Sequence, residues 1–346
     1  MLYVTTRDRY DASTTPKSLL SDRGADGGLY LPFRIPMFTR EDLEEFLSGS
    51  FGQTVAHILN LFFSCKLTGW DVDFCIGRYP VKVKDIKHRV FAAELWHNSQ
   101  NCYSRLEKAL SEKVREAICG EYTTSWLRIA IRIAVLFGVY GEMLRTGAVT
   151  SGNSFDVCVP TEDFSCGMAV WYARQMGLPV ANIICGCNEN GAVWELLHHG
   201  EVRTDVASVN TTTPDGDVAI PAELERLICG ALGQEEARRF GGICANRGIY
   251  APRQGMLEKL RTGMFAAVIS NERLAALIPN VFSTTGYILG PYAALAYGGL
   301  LDYRTKHRES RPALLIVDRN PICDPEYTAS SMGLAVSQLK EKLGII

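Results

Sequence analysis

The sequence predicts an α/β fold with a mostly parallel sheet and helices on both faces. Three observations carry that prediction. Short apolar, β-rich runs recur at Ser154–Pro160, Val180–Asn188, Phe265–Ser270 and Ala313–Asp318, and helical segments adjoin each of them. The first two begin about 25 residues apart, which leaves room for one helix between parallel neighbours. The runs are also apolar at successive positions rather than alternately, so both faces of the sheet need cover.

The elements follow in order along the chain. Leu43–Leu47 and Phe51–Phe63 carry apolar residues at helical spacing. Leu106, Leu110, Val114 and Ile118 repeat every four residues, so Glu107–Gly120 reads as one helix with one apolar face. Trp126–Arg145 is apolar nearly all round and belongs in the interior. Its densest part, Ile129–Gly141, is broken by Arg132 and is too short to cross a bilayer. A helix over Cys166–Met176 stops at Gly177-Leu178-Pro179, and another spans Ala192–His199. No internal repeat, low-complexity tract or Pro/Gly/Ser-rich linker divides the chain, and one α/β domain is the simplest arrangement.

Composition narrows the function. With 346 residues, 47% hydrophobic and 21% charged, the chain is too apolar and too weakly charged to be disordered. Lys and Arg number 36 against 38 Asp and Glu, a net charge of -2, and no basic run stands out. Neither nucleic acid nor a membrane surface is therefore an expected partner. The eleven cysteines form no C-x-x-C pair and no secretory leader opens the chain, which suggests reduced thiols and a cytoplasmic protein.

The motifs go further. The opening Tyr3-Val-Thr-Thr-Arg7 and the stretch Ser18–Pro36, with its block Asp26-Gly-Gly-Leu-Tyr-Leu-Pro32, resemble the N-terminal signature of threonine synthase. AELWHNSQNCYSRLEKAL, from Ala93, resembles the segment around that family's cofactor lysine, and TTSWLRIAIRIAVLF, from Thr123, its Asn-Trp-x-Arg helix. SFDVCVPTEDFSCGMAVWYARQMGLPVANIICGCNENGAV resembles the phosphate-loop unit, and VAIPAELERLI and TTGYILGPYAALAY resemble later stretches. The matches are colinear from Tyr3 to about Asp324, and the chain is identified as a divergent member of the threonine synthase family. The resemblance implies a tryptophan-synthase-β-like fold, in which pyridoxal phosphate (PLP) sits between two α/β domains. It also implies a PLP-dependent lyase activity in threonine biosynthesis, replacing the phosphate of O-phosphohomoserine by hydroxide. The expected organisation is a threonine-synthase-like subdomain over 1–90 and an α/β domain over 91–346, or one continuous unit.

Position by position, the chemistry of that family is missing. The lysine that holds PLP as a Schiff base aligns with Ser104, whose hydroxyl cannot form an imine, and the Asp after it aligns with Arg105. The nearest amine, Lys108, lies one turn further on, about 6 Å along a helix axis. The family's Gly-Asn-Phe-Gly phosphate cup aligns with Glu162-Asp163-Phe164-Ser165, so two glycines gain side chains and two carboxylates stand where a dianion binds. Like charges ~4 Å apart at an effective dielectric of 20 repel by about 4 kcal/mol, or about a thousandfold in affinity. Taken alone, Thr161-Glu162-Asp163 is an acidic helix start. The Asp-Pro-His-Thr-Ala block appears as Gly290-Pro-Tyr-Ala-Ala294. The segment that approaches the ring nitrogen appears as Asp318-Arg-Asn-Pro321, with Asp318 a vestigial contact.

The largest departure lies between 104 and 124. There the family inserts a small lid domain with a Ser-Gly-Asp-Thr-Gly loop, and this chain has room for one helix and a turn. What remains is scaffold: Trp126, Arg128 and Asn188-Glu189-Asn190. His198-His199 point about 100° apart on a helix and share no metal well, and Cys102 with His97 is a weak thiol-nucleophile pair. The expectation is a threonine synthase-like protein inactive in PLP chemistry, with no cofactor expected and an unnamed small-molecule ligand. A second copy or a protein partner would cover the old cleft floor if the new helix does not. The alternatives are a PLP enzyme using a relocated Lys108, and a different enzyme built around Cys102, His97 or Asp163.

Overall fold

A computed structural model of the chain describes residues 1–10, 12–14, 21–77, 81–96, 103–118, 120 and 124–345. The N-terminal segment forms a small antiparallel sheet, β1 (Leu2–Thr5) between β2 (Ser13–Thr14) and β3 (Tyr30–Pro32). Three helices follow: α1 (Arg40–Leu47), α2 (Phe51–Phe63) and α3 (Gly69–Ile76). Each starts at a capping box, Thr39 with Asp42, Ser50 with Gln53 and Thr68 with Asp71, in which side chain and backbone satisfy each other's open groups.

The central sheet takes its strands from Lys82 to Val317. β4 (Lys82–Asp85) and β5 (Val90–Glu94) form an antiparallel hairpin. After α4 (Tyr103–Ile118) and α5 (Ser125–Arg145) the chain alternates β6 (Phe155–Pro160), α6 (Ser165–Gln175), β7 (Val180–Cys187) and α7 (Ala192–His198). An excursion through β8 (Val202–Arg203), α8 (Leu224–Leu232), α9 (Gln234–Asn246), β9 (Ile249–Tyr250) and α10 (Leu257–Arg261) leads to β10 (Met264–Val268). Then come α11 (Asn271–Thr285), α12 (Pro291–His307), β11 (Ala313–Val317), α13 (Pro325–Ser331) and α14 (Val336–Lys342). The six strands lie in the order β10-β7-β6-β11-β5-β4, all parallel except the edge strand β4.

Both faces are covered, as the apolar runs require. Along β11, Leu314 and Ile316 enter the core shared with α5 and α6, while Ala313, Leu315 and Val317 enter the core under α11 and α12. Helix α5 is buried nearly all round, and Trp126 sits inside it against Tyr3, Phe62 and Tyr172 in edge-on contacts. Helix α12 crosses β7 so closely that any side chain at Gly186 would run into the carbonyl of Leu295. The expected boundary at 90/91 falls at the first residue of β5, whose hairpin partner β4 lies on the other side of it.

Two sequence expectations need revision. The described cysteines include eight free thiols, but Cys323 is disulfide-bonded, so the chain is not uniformly reduced. The edge hairpin β4–β5 went unread because its strands are short and β4 is polar and half exposed. Among the described residues no helix is long and apolar enough to cross a membrane.

Candidate functional site

The strand order reverses direction around β6, whose neighbours β7 and β11 are reached by different routes. In open α/β sheets the crevice at the carboxyl ends of such strands is where ligands bind. Here β6 runs into Thr161–Phe164 and the start of α6, and β11 runs into Asp318 and Arg319. Arg128 and Arg132 reach the same place from α5, and Glu107 reaches it from α4.

The loop after β6 keeps a backbone suited to glycine while carrying side chains. Glu162 and Phe164 have φ values of 43° and 67°, in the left-handed region that disfavours L-residues. Thr161 anchors the loop, its amide and hydroxyl both reaching the carbonyl of Gly186, at 2.9 and 3.1 Å. Phe164 is wholly buried and plugs the base of α6. Asp163 accepts from the amide of Ser165 at 3.0 Å and from its hydroxyl, closing the first turn of α6.

Asp163, Glu107, Glu162 and Asp215 at this end are each paired with an arginine. Asp163 accepts from Arg128 Nη1 at 3.1 Å. Glu107 accepts from Arg128 Nε at 2.8 Å and from Arg132 Nε at 3.0 Å, and Arg132 Nη1 also donates to the Ser165 hydroxyl at 2.9 Å. Glu162 accepts from Arg319 Nη2 at 3.1 Å, and the same nitrogen donates to Asp215. The Tyr292 hydroxyl receives the amide of Asp215 at 3.2 Å. Asn188 and Asn190 tie the loop around Asp215 to the end of β7 through Thr211, Thr213 and Asp217.

Burial and charge set the protonation states. Burial pushes the Glu162 carboxyl up to about 8, helped by the neighbouring Asp318 and opposed by Arg132 and Arg319. Asp318 is raised by burial in the same way, against the pull of Arg132 and Arg319. Burial also acts on Asp163, but Arg132, Arg128 and the Ser165 bonds outweigh it and hold its carboxyl below the usual range. Beside this cluster, a cavity of about 20 Å³ lies between Leu95, Arg132, Cys166, Ile316 and Asp318. It is large enough for a single water, whereas organic ligands occupy roughly 300–1,000 Å³.

The predicted site residues separate into three groups. Glu162, Asp163, Phe164, Ser165 and Asp318 come together at one end of the sheet. Lys108 is exposed on α4, next to the buried Glu107 and about 100° round the helix from it. Ser104 falls in the first turn of α4 with its side chain outside the described atoms, and His97 and Cys102 lie outside the described residues. His198 and His199 stack on and against Trp194, and no metal-binding cluster occurs among the described residues. Sequence reasoning passed over Arg132, Arg319 and Glu107. The one available signal was a pair of arginines four residues apart on an otherwise apolar helix, which demands buried acids.

Residues 2–78 match the family described as threonine synthase N terminus. The human protein threonine synthase-like 1 is 27% identical over 176 residues, 50% of this chain and 24% of that protein. Threonine synthase of Pseudomonas aeruginosa is 25% identical over 205 residues, 58% of this chain and 42% of that enzyme. Among solved structures, PLP-bound threonine synthase from Brucella melitensis superimposes with a TM-score of 0.81 at 18% identity, over 99% of this chain and 94% of that one. Yeast threonine synthase superimposes with a TM-score of 0.82 at 14% identity, over 100% of this chain and 94% of that one.

The chain is threonine synthase-like: its N-terminal residues match that family's N-terminal model, and its fold is that of solved threonine synthases. This threonine synthase-like chain spans about a quarter of the length of the threonine synthase-like 1 proteins it matches.

The comparison corrects one expectation. No cofactor was expected for this divergent chain, although PLP was expected of the family it resembles; the fold it shares is that of PLP-bound threonine synthase from Brucella melitensis, and that overturns the expectation. The mistake was to argue from lost side chains, which are local, to the ligand of a fold, which is set by the sheet end as a whole. The residues at that end still do not fit the phosphate of PLP as arranged here. Glu162 and Asp163 hold the arginines, and side chains occupy the left-handed positions of the loop.

Proposed function

We propose that this threonine synthase-like protein does not carry out the family's lyase reaction and acts instead by binding. The reading rests on a single observation: the loop that would cradle a phosphate is closed by its own Glu162 and Asp163, each paired with an arginine. A phosphate dianion entering there would have to displace Glu162 from Arg319 and Asp163 from Arg128. The single helix α4 where the family places its lid domain supports the same reading, because water exclusion and substrate grip both depend on a lid. A relocated amine at Lys108 gains no support from its exposed position beside Glu107. Exposed and stacked Trp70 and Phe74, with ring centroids 5.6 Å apart on α3, support a protein partner or a second copy.

The test is phosphate release from O-phosphohomoserine by the purified chain with PLP added. The expected rate equals that of PLP alone in buffer. Threonine formation that scales with protein concentration would overturn the proposal.

A further inference from the structure

The opposite end of the sheet holds a larger opening. A depression of about 530 Å³ lies where β5, β6 and β11 begin, within the size range of organic-ligand sites. Its lining includes Arg89, Arg311, Glu309 and the hydroxyls of Thr150, Ser154 and Ser310.

Arg89 is held there by an unusual backbone. The turn joining β4 to β5 places three consecutive non-glycine residues, Lys87, His88 and Arg89, in the left-handed region, with φ of 69°, 53° and 58°. Such a run is costly, and it persists where neighbouring structure enforces it. Arg304 supplies part of that enforcement, donating to the carbonyls of His88 and Arg311, both at 3.0 Å. The Arg89 carbonyl accepts from the amide of Ala313 at 2.9 Å, and Lys87 Nζ reaches the carbonyl of Thr284 at 2.9 Å. The strained turn is thus bolted to the loop after α12, and two basic segments far apart in sequence share one rim. The shared rim is assembled only by the fold, from segments more than 200 residues apart.

The charges at this rim do not cancel. Glu309 takes up Arg311 and also accepts from the Tyr303 hydroxyl at 2.9 Å. The Arg89 guanidinium has no ion pair or hydrogen bond among the described residues, and the side-chain hydroxyls of Thr150, Ser154 and Ser310 have no hydrogen bond among them either. A planar guanidinium flanked by a second one and by three free hydroxyls suits a tetrahedral oxyanion, which accepts several donors at once. The volume beyond the two arginines admits an organic body, with the Glu309 carboxylate as acceptor for its hydroxyl or amino groups.

We propose that this depression binds the phosphate monoester of a small metabolite, with Arg89 as the principal phosphate ligand and Arg311 as the second. The site is independent of the reading given above for the other end of the sheet. Calorimetric titration of the full chain with inorganic phosphate, adenosine monophosphate and glucose 6-phosphate tests it. Saturable binding of at least one organic phosphate is expected, weakened about tenfold or more in Arg89→Ala, with an unchanged melting temperature. Lys306→Ala, on the same basic segment but outside the depression, is expected to bind as the wild type does. Tighter binding of the nucleotide than of the sugar phosphate assigns a nucleotide; the reverse order assigns a sugar phosphate. Absence of saturable binding at millimolar ligand would overturn the proposal, as would affinities unchanged in both Arg89→Ala and Arg311→Gln. Inorganic phosphate binding as tightly as either ester would overturn the assignment to an organic phosphate.

Discussion

Arg319 sits over the ring of Tyr292, its guanidinium carbon 3.9 Å from the ring centroid. Two residues past β11, it therefore touches the first turn of α12 while donating to Glu162 in the loop after β6 and to Asp215 in the loop tied to β7. Three segments that surround the ligand end of the fold are clamped by one cation. A cation over an aromatic face and between two acids is held far more firmly than one in water.

The pH dependence of Glu162 follows from its burial. Its carboxyl sits near 8 in the folded chain against an ordinary 4.5, so the folded state prefers the protonated form. That preference is fully present below 4.5 and is lost as pH rises towards and through 8. Glu162→Gln keeps the shape and removes the titration. In urea melts the variant should match the wild type near the lower value and exceed it by about 1–3 kcal/mol above the upper one. A variant less stable than the wild type in alkaline buffer would show that the bond to Arg319 outweighs the cost of burying the charge.

Glu107 and Arg132 should be energetically coupled. Both are nearly buried and 3.0 Å apart, and Arg132→Met strips one of the two guanidinium groups from Glu107. We expect a loss of about 3–5 kcal/mol for Arg132→Met and a substantially smaller loss for Arg132→Met with Glu107→Gln. Strict additivity of the two in a double-mutant cycle would mean that the pair is incidental.

Gly186 carries the contact between β7 and α12. Gly186→Ala forces the helix off the sheet, because its new carbon meets the backbone at Leu295 rather than a movable side chain. The expected cost is about 3 kcal/mol or more, read as a fall in the thermal midpoint. A midpoint within a degree or two of the wild type would mean that α12 rides higher on the sheet than described.

Much of the scaffold was legible in the chain. Val157, Ile183 and Leu315 stand in continuous apolar runs because their strands are covered on both faces, and such runs admit little else. Leu106, Leu110 and Val114 declared the buried stripe of α4, and Trp126 its place in the core. The site was half legible. Glu162 and Asp163 were conspicuous as acids in a glycine loop, but their pairing was not, since Arg319 and Arg128 lie 157 and 35 residues from them and meet the loop only in the fold. Arg89 was invisible for the same reason. The basic turn of the hairpin says nothing of a site until the fold brings Arg311 to the same depression.

A crystal grown with PLP and inorganic phosphate tests the central claim most directly, in the density around Thr161–Ser165. The account predicts the Glu162 carboxylate on Arg319 and the Asp163 carboxylate on Arg128, with no anion between them. An anion bonded to the backbone amides of 163–165, with both carboxylates swung out to solvent, would contradict it.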